Sequence, residues 1–470
     1  MSLSSSLFSG ISGLSTLGNA MQIIGDNIAN VNTVGFKGSS FTFQDLLSQS
    51  VATLSGTSQV GRGTALGDIT SSFQQGSFES TGNTTDLAIG GAGFFVLKEA
   101  GTLNNFYSRA GNFSFDQNGY LTNPEGYIVQ GWALDANGND AGSIGDIAMS
   151  SFTSPPSATS NIEVIVNLDS DGSDNTSGAD DSLAGAWNGT AVTPIADTSY
   201  EYLTSMRAYD SLGSTHDITL YFDKAATSAA YEFIVTCNPS EDFRAGASGN
   251  TWAGLLARGV IDFDSSGSMT DIDLWQIDPS DGSSVAQAEA TDVSNGFFTF
   301  DTVFFSGAST QTIELNLGTR YNGTTWANSS LSTSQYATSS TTTFQSANGY
   351  GAGDLEGVNV DVDGVITGSY SNGQLIPLYR VGLAKFQNEQ GLFKEGGNLF
   401  SETRESGSAI TNRPGTNGLG SIAPNALEQS NVDIANELVK MITTQRGFQA
   451  NSKIITVTDQ MLSELINIKR

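Results

Sequence analysis

The sequence predicts a mainly β protein with helical termini: two nested β-rich domains, and a terminal α-helical coiled-coil domain formed by both chain ends. Three observations predict this fold class. Apolar residues recur every seven positions near both termini, the segments between them alternate apolar and polar residues around glycine-rich turns, and the central stretch is distinctly acidic. Only 14% of the 470 residues are charged and 54 are Gly, a composition typical of turn-rich β-structure.

The first helix is predicted over residues 3–31. One set of apolar residues repeats every seven positions, and a second set falls three positions later, which is the pattern of a coiled-coil seam. Gly10 is the one gap in the second set, and no charged side chain precedes Asp26. The seam consists of Leu7, Leu14, Met21 and Ile28, with Leu17, Ile24 and Val31.

Between the termini the apolar period changes to two, as in β-strands. Residues 86–99, DLAIGGAGFFVLKE, predict two strands around a glycine-rich turn. A short signature also recurs, in which Asp follows an apolar residue and Gly comes three positions after the Asp, with another apolar residue two further on. Each copy predicts a β-hairpin turn: residues 115–121, 263–269 and 360–366.

The acidic composition of the centre indicates a separate, inserted domain. Residues 148–352 hold 24 acidic and 5 basic residues, a large share of the chain's net charge of −29. We therefore expect four regions, the last of them made of one lobe or two. They are a terminal coiled-coil domain from 1–34 and 427–470, a connecting segment at 35–72, a first β-domain from 73–147 and 353–426, and an outer acidic β-domain at 148–352.

The second helix is predicted over residues 431–470, which contain no Pro. Its heptad repeat is widened by Leu438 and consists of Ile434, Met441, Phe448, Ile455 and Leu462. The segment SNVDIANE supplies candidates for the N-cap, and Lys469 and Arg470 stand at the other end, so both ends suit the helix dipole.

Two apolar helices at the chain ends predict association between copies of the chain. Ordinary core packing explains most such stripes in the middle of a chain. Here the first helix is almost uncharged on every face, and a single helix pair leaves too much apolar surface uncovered. Full burial of one Leu-sized side chain contributes ~1.5–3 kcal/mol, so the seam of the first helix alone favours burial against other copies.

No enzymatic activity, cofactor or metal site is predicted. A single His, His216, and a single Cys, Cys237, remove most acid–base, zinc and disulfide chemistry. Residues 262–273, DFDSSGSMTDID, resemble a calcium loop, but their strand-like flanks and their likeness to the other hairpin signatures favour a turn. The acidic charge disfavours nucleic acid and anionic membranes as partners, and no signal peptide or membrane insertion is predicted.

Several segments in the same order resemble the axial proteins of the bacterial flagellum. GDNIANVNTVGFK, residues 25–37, is similar to the family's N-terminal signature, and the segments from TTDLAIGGAGFFVL to YIVQGW resemble its first β-domain. GSIAPNALEQSNVDIANELVKMITTQRGFQANSKIITVTDQML resembles its C-terminal signature. Gly447 and Phe448 depart from the pattern, since the family often has Ala and Tyr there. SMRAYDSLGSTHDITLYF, residues 205–222, is similar to the outer domain of hook-type members.

The resemblance implies a hook-type member, which self-assembles into a curved tubular joint that transmits torque from rod to filament. It also implies the partners: further copies of the chain, rod proteins, hook–filament junction proteins and the hook cap. The expected location is extracellular, at the hook of the flagellar basal body. Members of the family leave the cell through the flagellar type III export channel, without a cleaved signal peptide.

In such a polymer we expect the two heptad stripes to form the assembly interface, together with residues that follow the first helix. Asn27 and Asn30, three positions apart, share a helix face and are expected to hydrogen-bond a neighbouring backbone inside the packed tube. Gly35 allows a backbone turn, and Phe36 is expected to anchor the exit from the helix.

Other functions stay open from the sequence alone. A distal rod component of the same family is one alternative, although it lacks a large central insertion. A secreted β-rich adhesin is another, but it leaves the paired heptad ends unexplained. A β-rich carbohydrate enzyme is a third, and the chain offers it no coherent catalytic site.

Overall fold

The computed structural model describes residues 3–53, 56–135, 137–149, 152–176, 182–225, 229–288 and 291–468. It confirms a mainly β protein with a helix at each terminus. The chain divides into two compact units. The first unit comprises Met1–Phe152, Leu355–Tyr370 and Gln374–Arg470, and the second comprises Thr153–Asp354 and Ser371–Gly373.

The first unit begins with helix α1, Leu3–Ala29, so the predicted helix ends two residues early. A series of strands follows. They are β1 Ser39–Asp45, β2 Gln49–Thr53, β3 Gly56–Val60, β4 Thr64–Ser71, β5 Phe78–Ser80, β6 Leu87–Gly90, β7 Phe94–Lys98, β8 Asn105–Ser108, β9 Ser114–Phe115, β10 Leu121–Thr122, β11 Ile128–Leu134 and β12 Asp140–Asp146.

The central part of the chain is again mostly strands, with one short helix. The elements are β13 Thr153–Ser154, β14 Asn161–Asp169, α2 Ser182–Gly185, β15 Tyr202–Tyr209, β16 Thr215–Lys224, β17 Ala230–Thr236, β18 Leu255–Phe263, β19 Met269–Ile277, β20 Ser284–Ala286, β21 Val293–Ser294, β22 Phe297–Thr302, β23 Gln311–Asn316, β24 Thr319–Tyr321, β25 Trp326–Asn328, β26 Ser334–Tyr336 and β27 Thr341–Ala347.

The chain then returns to the first unit and ends in a long helix. Asp433 accepts a hydrogen bond from the Ala435 N–H at 2.8 Å, which caps that helix as the SNVDIANE segment predicts. The elements are β28 Gly353–Val360, β29 Val365–Tyr370, β30 Leu375–Val381, β31 Leu383–Lys385, β32 Phe393–Gly396, β33 Leu399–Ser401, β34 Ile410–Asn412, β35 Ser421–Pro424, β36 Ala426–Glu428 and α3 Ile434–Ile468.

The first unit is built around a sheet that mixes strands from before and after the central segment. Its strand order runs β28-β29-β30-β11-β7-β8-β33-β32. The two strands predicted in 86–99 are β6 and β7, and they pair apart from each other, β6 with β35 and β7 with β8 and β11. Fully buried side chains from both halves of the chain form the core, among them Leu87, Phe95, Val129, Val381 and Leu383.

The second unit contains two six-stranded sheets. One has the order β15-β16-β17-β18-β19-β20. The other has the order β21-β22-β23-β14-β26, and β27 also pairs with β14, in antiparallel orientation. Alternate residues of both sheets point into one core, as the period of two requires. Its fully buried side chains include Val164, Phe222, Phe233, Ile261 and Phe300.

The three predicted hairpin turns are confirmed, and two further hairpins share their geometry. In each, one Asp carboxylate oxygen accepts hydrogen bonds from the N–H groups two and four residues later, as Asp116 does at 2.8 Å from Asn118 and Tyr120. A glycine with φ between 73° and 85° follows three residues after the Asp. The aspartates are Asp116, Asp135, Asp210, Asp264 and Asp361.

The calcium-like segment 262–273 forms one of these turns. Asp264 accepts from the hydroxyl of Ser266 at 2.6 Å and from the N–H of Ser268 at 3.0 Å. These hydrogen bonds, the Ser266 hydroxyl first, lower the pKa of Asp264 because they favour the ionised carboxylate. The Asp264 carboxylate therefore stabilises the turn in which it lies.

Replacing Gly119 by Ala is expected to destabilise the first unit more than replacing Gly138 by Ala. The two glycines have similar left-handed backbones, with φ of 84° and 77°, which cost an alanine about 1–2 kcal/mol. A Cβ at position 119 would also lie 2.5 Å from the Met149 carbonyl oxygen, while nothing lies within 4 Å of one at position 138. Urea unfolding of the full chain measures both losses. Equal losses in the two variants would contradict the steric part of this explanation.

Candidate assembly interface

The two terminal helices pack against each other in antiparallel orientation. Gly10 near the start of α1 faces Ile455, and Leu17 faces Gly447, which lies earlier on α3. A Cβ on Gly10 would lie 3.2 Å from the Ile455 side chain, and a Cβ on Gly447 would lie 3.2 Å from Leu17. Glycine therefore lets the two helix backbones approach closely, and the gap in the predicted seam is a contact point.

The predicted interface residues differ widely in burial. Ile24 and Asn27 are buried within the first unit. Most of the others are half-buried: Leu7, Leu14, Leu17, Met21, Ile28, Asn30, Val31, Phe36, Met441 and Ile455. The remaining four are exposed, and all lie on α3: Ile434, Leu438, Phe448 and Leu462. The single chain thus covers much of the α1 stripe and little of the α3 stripe.

Sequence reasoning missed several buried residues because they are small or polar. Thr16 and Ala20 on α1, and Glu437, Thr444 and Thr458 on α3, are at most 7% exposed. Each of the three threonine hydroxyls donates to the carbonyl oxygen four residues earlier, at 2.7–2.8 Å, so none is left without a partner. Glu437, Thr444 and Thr458 keep the heptad spacing, which is the signal that could have identified them.

Asn27 and Asn30 of the N-terminal signature have hydrogen-bond partners within the single chain. Asn27 donates to the Ser39 carbonyl oxygen and accepts from the Ser39 N–H, both at 2.8 Å. Asn30 donates to the backbone oxygen of Asp26 at 3.0 Å and to its side chain at 3.1 Å. Asn27 therefore joins the end of α1 to the start of β1.

Directly after this signature, Lys37 enters a buried ionic cluster. Its Nζ lies 2.6 Å from Oε1 of Glu428 and donates to the Gln74 carbonyl oxygen at 2.8 Å. Oε1 of Glu428 also accepts from the Gly76 N–H at 2.8 Å, and Oε2 lies 3.5 Å from Nη1 of Arg109. The three charged side chains are 0–2% exposed.

Two cations therefore share one carboxylate in the interior of the first unit. Burial lowers the pKa of Lys37 and of Arg109, and the Glu428 carboxylate opposes both shifts. The Arg109 guanidinium also lies 5.2 Å from the centre of the Phe94 ring, a cation–π contact. Because a buried charge without its partner is strongly destabilising, Glu428 is the group that keeps these cations in place.

The helices and the β1–β4 hairpin leave large apolar side chains exposed. Phe8 on α1 is 67% exposed and Val439 on α3 is 61% exposed. Other exposed apolar residues of the two helices are Ile11, Ile442, Ile454, Val457 and Met461, and those of the hairpin and the following loop are Phe43, Leu46, Leu47 and Ile69. Patches of exposed apolar side chains mark protein–protein interaction sites, so these elements are candidates for contacts with other chains.

The described residues include few candidates for a metal site or a catalytic group. Among them, no group of three or more His, Cys, Asp or Glu side chains is placed to hold a metal ion. His216 lies on β16, with Nδ1 2.7 Å from Oε2 of Glu241, and its ring stacks on Phe304 at 4.1 Å. Burial raises the pKa of the Cys237 thiol, which makes it a poor nucleophile. None of the helices within the described ranges has the length and apolar character needed to cross a membrane.

Four family models match successive parts of the chain. They are described as Flagella basal body rod protein at residues 7–37, Flagellar hook protein FlgE/F/G D1 domain at 88–172, Flagellar basal body protein FlaE D2 domain at 167–350, and Flagellar basal body rod FlgEFG protein C-terminal at 423–468. The model for the N-terminal segment covers α1 from Leu7 onward and ends at Lys37.

Chains named Flagellar hook protein FlgE are similar over almost their entire length. The Borreliella burgdorferi protein is 34% identical and the Treponema pallidum protein 33% identical, with 99% of each chain covered. The chain belongs to the flagellar hook protein family. The Escherichia coli hook protein is 30% identical over 98% of both chains. The predicted identity as a hook subunit is therefore confirmed, and the rod component, adhesin and carbohydrate enzyme are not favoured.

As a hook protein, the chain is a structural subunit of the flagellum and forms a homopolymer at the basal body. The residues that the D2 domain model matches, 167–350, lie within the second unit.

Changing Glu428 to Gln in this hook protein is expected to lower the free energy of unfolding of the first unit by about 3–5 kcal/mol. The change leaves Lys37 and Arg109 buried without an anion. Asp146→Asn is the matched control, because the Lys98–Asp146 pair is about a quarter to a third exposed and 3.4 Å apart, and such pairs contribute about 1 kcal/mol or less. Calorimetric melting of the full chain measures both. Similar small losses in the two variants would show that the buried cluster is not a principal source of stability.

Proposed function

We propose that this hook protein assembles through its terminal helices into the curved tubular joint that transmits torque from rod to filament. The proposal depends on one observation above all, the apolar side chains of α1 and α3 that a single chain leaves exposed. A homopolymer provides many copies of the same surface. Neighbouring subunits can then cover what one helix pair does not.

The exposed residues of α3 are numerous enough to support such contacts. Leu438, Val439, Ile442 and Phe448 lie within three turns and are between 43% and 61% exposed. Fully burying one side chain of this size contributes ~1.5–3 kcal/mol, so covering the exposed part of several gives a substantial driving force. Association also has to offset roughly 4–15 kcal/mol of lost translational and rotational freedom, which a long, repeated surface makes possible.

We assign two roles to the interface residues that the heptad patterns predict. Those half-buried in the helix pair, such as Leu14 and Ile455, hold α1 against α3 in one subunit. Those exposed on α3, such as Leu438 and Phe448, contact neighbouring subunits. The β1–β4 hairpin extends this second surface, because it leaves Phe43 and Ile69 about half exposed.

The domains of the sequence-based division have corresponding roles in this proposal. The terminal helices form the axial core, the first β-domain surrounds it, and residues 148–352 form an outer domain. The acidic charge of the outer domain keeps it solvated. We propose no catalytic, cofactor or metal-dependent role for any of them.

The proposed partners besides further copies are rod proteins, hook–filament junction proteins and the hook cap. We propose export through the flagellar type III channel without a cleaved signal peptide. The single Cys237 supports this route, since a chain with one Cys forms no intrachain disulfide that would hinder passage in an unfolded state.

Changing Leu438 or Ile442 to Glu is expected to prevent assembly while the unassembled chain melts as the wild type does. Both side chains are exposed in the single chain, so the substitution costs little there. In the polymer each would bury an unpaired charge at a cost of several kcal/mol, which corresponds to a critical concentration on the order of a hundredfold higher. Sedimentation of the purified full chain measures it.

Leu103→Glu is the matched control, because Leu103 is 92% exposed but lies in a loop of the β-structure between β7 and β8. It should assemble at the wild-type critical concentration. If the two helix variants also assemble at that concentration, the terminal helices do not carry the contacts between subunits.

A further inference from the structure

Glu437, in the first turn of α3, is a buried carboxylate with only one of its two oxygens satisfied. Its side chain is 8% exposed, and Oε1 accepts a hydrogen bond from Nζ of Lys440 at 2.6 Å. Oε2 is buried and has no hydrogen-bond partner. Leaving a buried charged oxygen without a hydrogen-bond donor is costly. Oε2 therefore needs a donor, and the single chain does not supply one.

Glu437 lines a cavity of about 270 Å³ where the end of α1, the start of β1 and the start of α3 meet. The neighbouring polar groups already have partners. Asn27 is bonded to Ser39, the Asn431 side-chain oxygen accepts from the Gly38 N–H at 2.9 Å, and the Asp433 carboxylate caps α3. Oε2 of Glu437 is therefore a lining atom that still requires a donor, and the charge of the carboxylate favours a cationic one.

Arg446, on the same helix, is a cation without an anionic partner in the described residues. It is exposed, and it lies on the same helix face as the exposed apolar residues Val439 and Ile442. Covering those apolar residues in a polymer would desolvate the guanidinium and leave it in need of an anion. It cannot use Glu437 of its own chain, because nine residues of helix separate the two by ~13 Å along the axis.

We propose that the Arg446 guanidinium of a neighbouring subunit enters this cavity and pairs with Glu437. The inference rests on the proposed assembly through the terminal helices and names one polar contact within it. A guanidinium has five N–H donors in a planar fork, so it can satisfy Oε2 of Glu437 and still bond to other oxygens around the cavity. The terminal torsion of Glu is broad, which allows the carboxylate to turn Oε2 toward the incoming group.

The contact also explains why a buried carboxylate stands in the first turn of α3. Lys440 is half-exposed and can shift toward solvent when a second cation arrives. The apolar residues of α3 supply attraction along its length, whereas one charged pair per contact fixes the axial position of one helix against the next. A single buried polar pair sets register in the same way in coiled coils.

A double-mutant cycle on the full chain tests the pair. The variants are Glu437→Gln, Arg446→Gln and the combination, with Lys453→Gln as the control because Lys453 is an exposed cation seven residues further along the same helix face. Glu437→Gln and Arg446→Gln are each expected to raise the critical concentration for assembly about tenfold or more. The combination should raise it no further than either change alone. Lys453→Gln should raise the critical concentration only slightly. Combined with Glu437→Gln, the two fold-changes should multiply, as expected for independent positions.

Melting of the unassembled chain separates a contact between subunits from a structural role. We expect Glu437→Gln to melt close to the wild type, because Oε2 has no partner in the single chain and the half-exposed Lys440 can turn to solvent when its bond to Oε1 is weakened. A large loss of stability in that variant, or effects of Glu437→Gln and Arg446→Gln that multiply, would overturn the pairing. If Arg446→Gln leaves assembly unchanged while Leu438→Glu prevents it, this pairing is wrong and assembly through the helices stands. If neither change has an effect, both proposals fail.

Discussion

The buried ion pair between Lys37 and Glu428 is the constraint on which the rest of the first unit depends. It joins residues 391 positions apart in the chain, and the Gly35 N–H adds a hydrogen bond to the Glu428 carbonyl oxygen at 2.7 Å. The segment that leaves α1 and the segment that enters α3 are thereby fixed side by side. Because α1 ends and α3 begins beside this junction, the two helices extend from it side by side with opposite chain directions, and Gly10 lies opposite Ile455.

The helix pair divides its side chains in a way that differs from an ordinary coiled coil. A coiled coil buries its large apolar residues in the seam between helices. Here glycine, alanine and threonine occupy much of that seam, and several Leu, Ile, Val and Phe side chains are exposed. A chain that folded only for itself would gain by the opposite arrangement. For a subunit of a homopolymer this arrangement is favourable. Small residues let the two helices pack closely within the subunit, and the large apolar side chains stay available for contacts with neighbouring subunits.

Features that depend on nearby residues could be predicted from the sequence, and features that depend on distant ones could not. The heptad stripes predict both helices, and an Asp followed three positions later by Gly predicts three of the hairpins. The turns at Asp135 and Asp210 were missed because the signature required an apolar residue at its end. Nothing local indicates that Lys37, Arg109 and Glu428 meet in the interior, since charged residues are mostly exposed. Gly10 is a gap in the apolar pattern, because the pattern records apolar side chains and not the close backbone contact that a glycine allows.

The discontinuous first unit has a consequence for the order in which the protein folds. Strands of its main sheet come from both sides of the central segment, and the carboxylate that neutralises Lys37 and Arg109 is close to the end of the chain. Nearly all residues of the second unit, in contrast, are contiguous. Closing a loop of several hundred residues is slow compared with forming contacts within a continuous segment. The second unit can therefore complete its fold while the first is still open, and the terminal helices acquire a fixed base only when the last tenth of the chain has arrived.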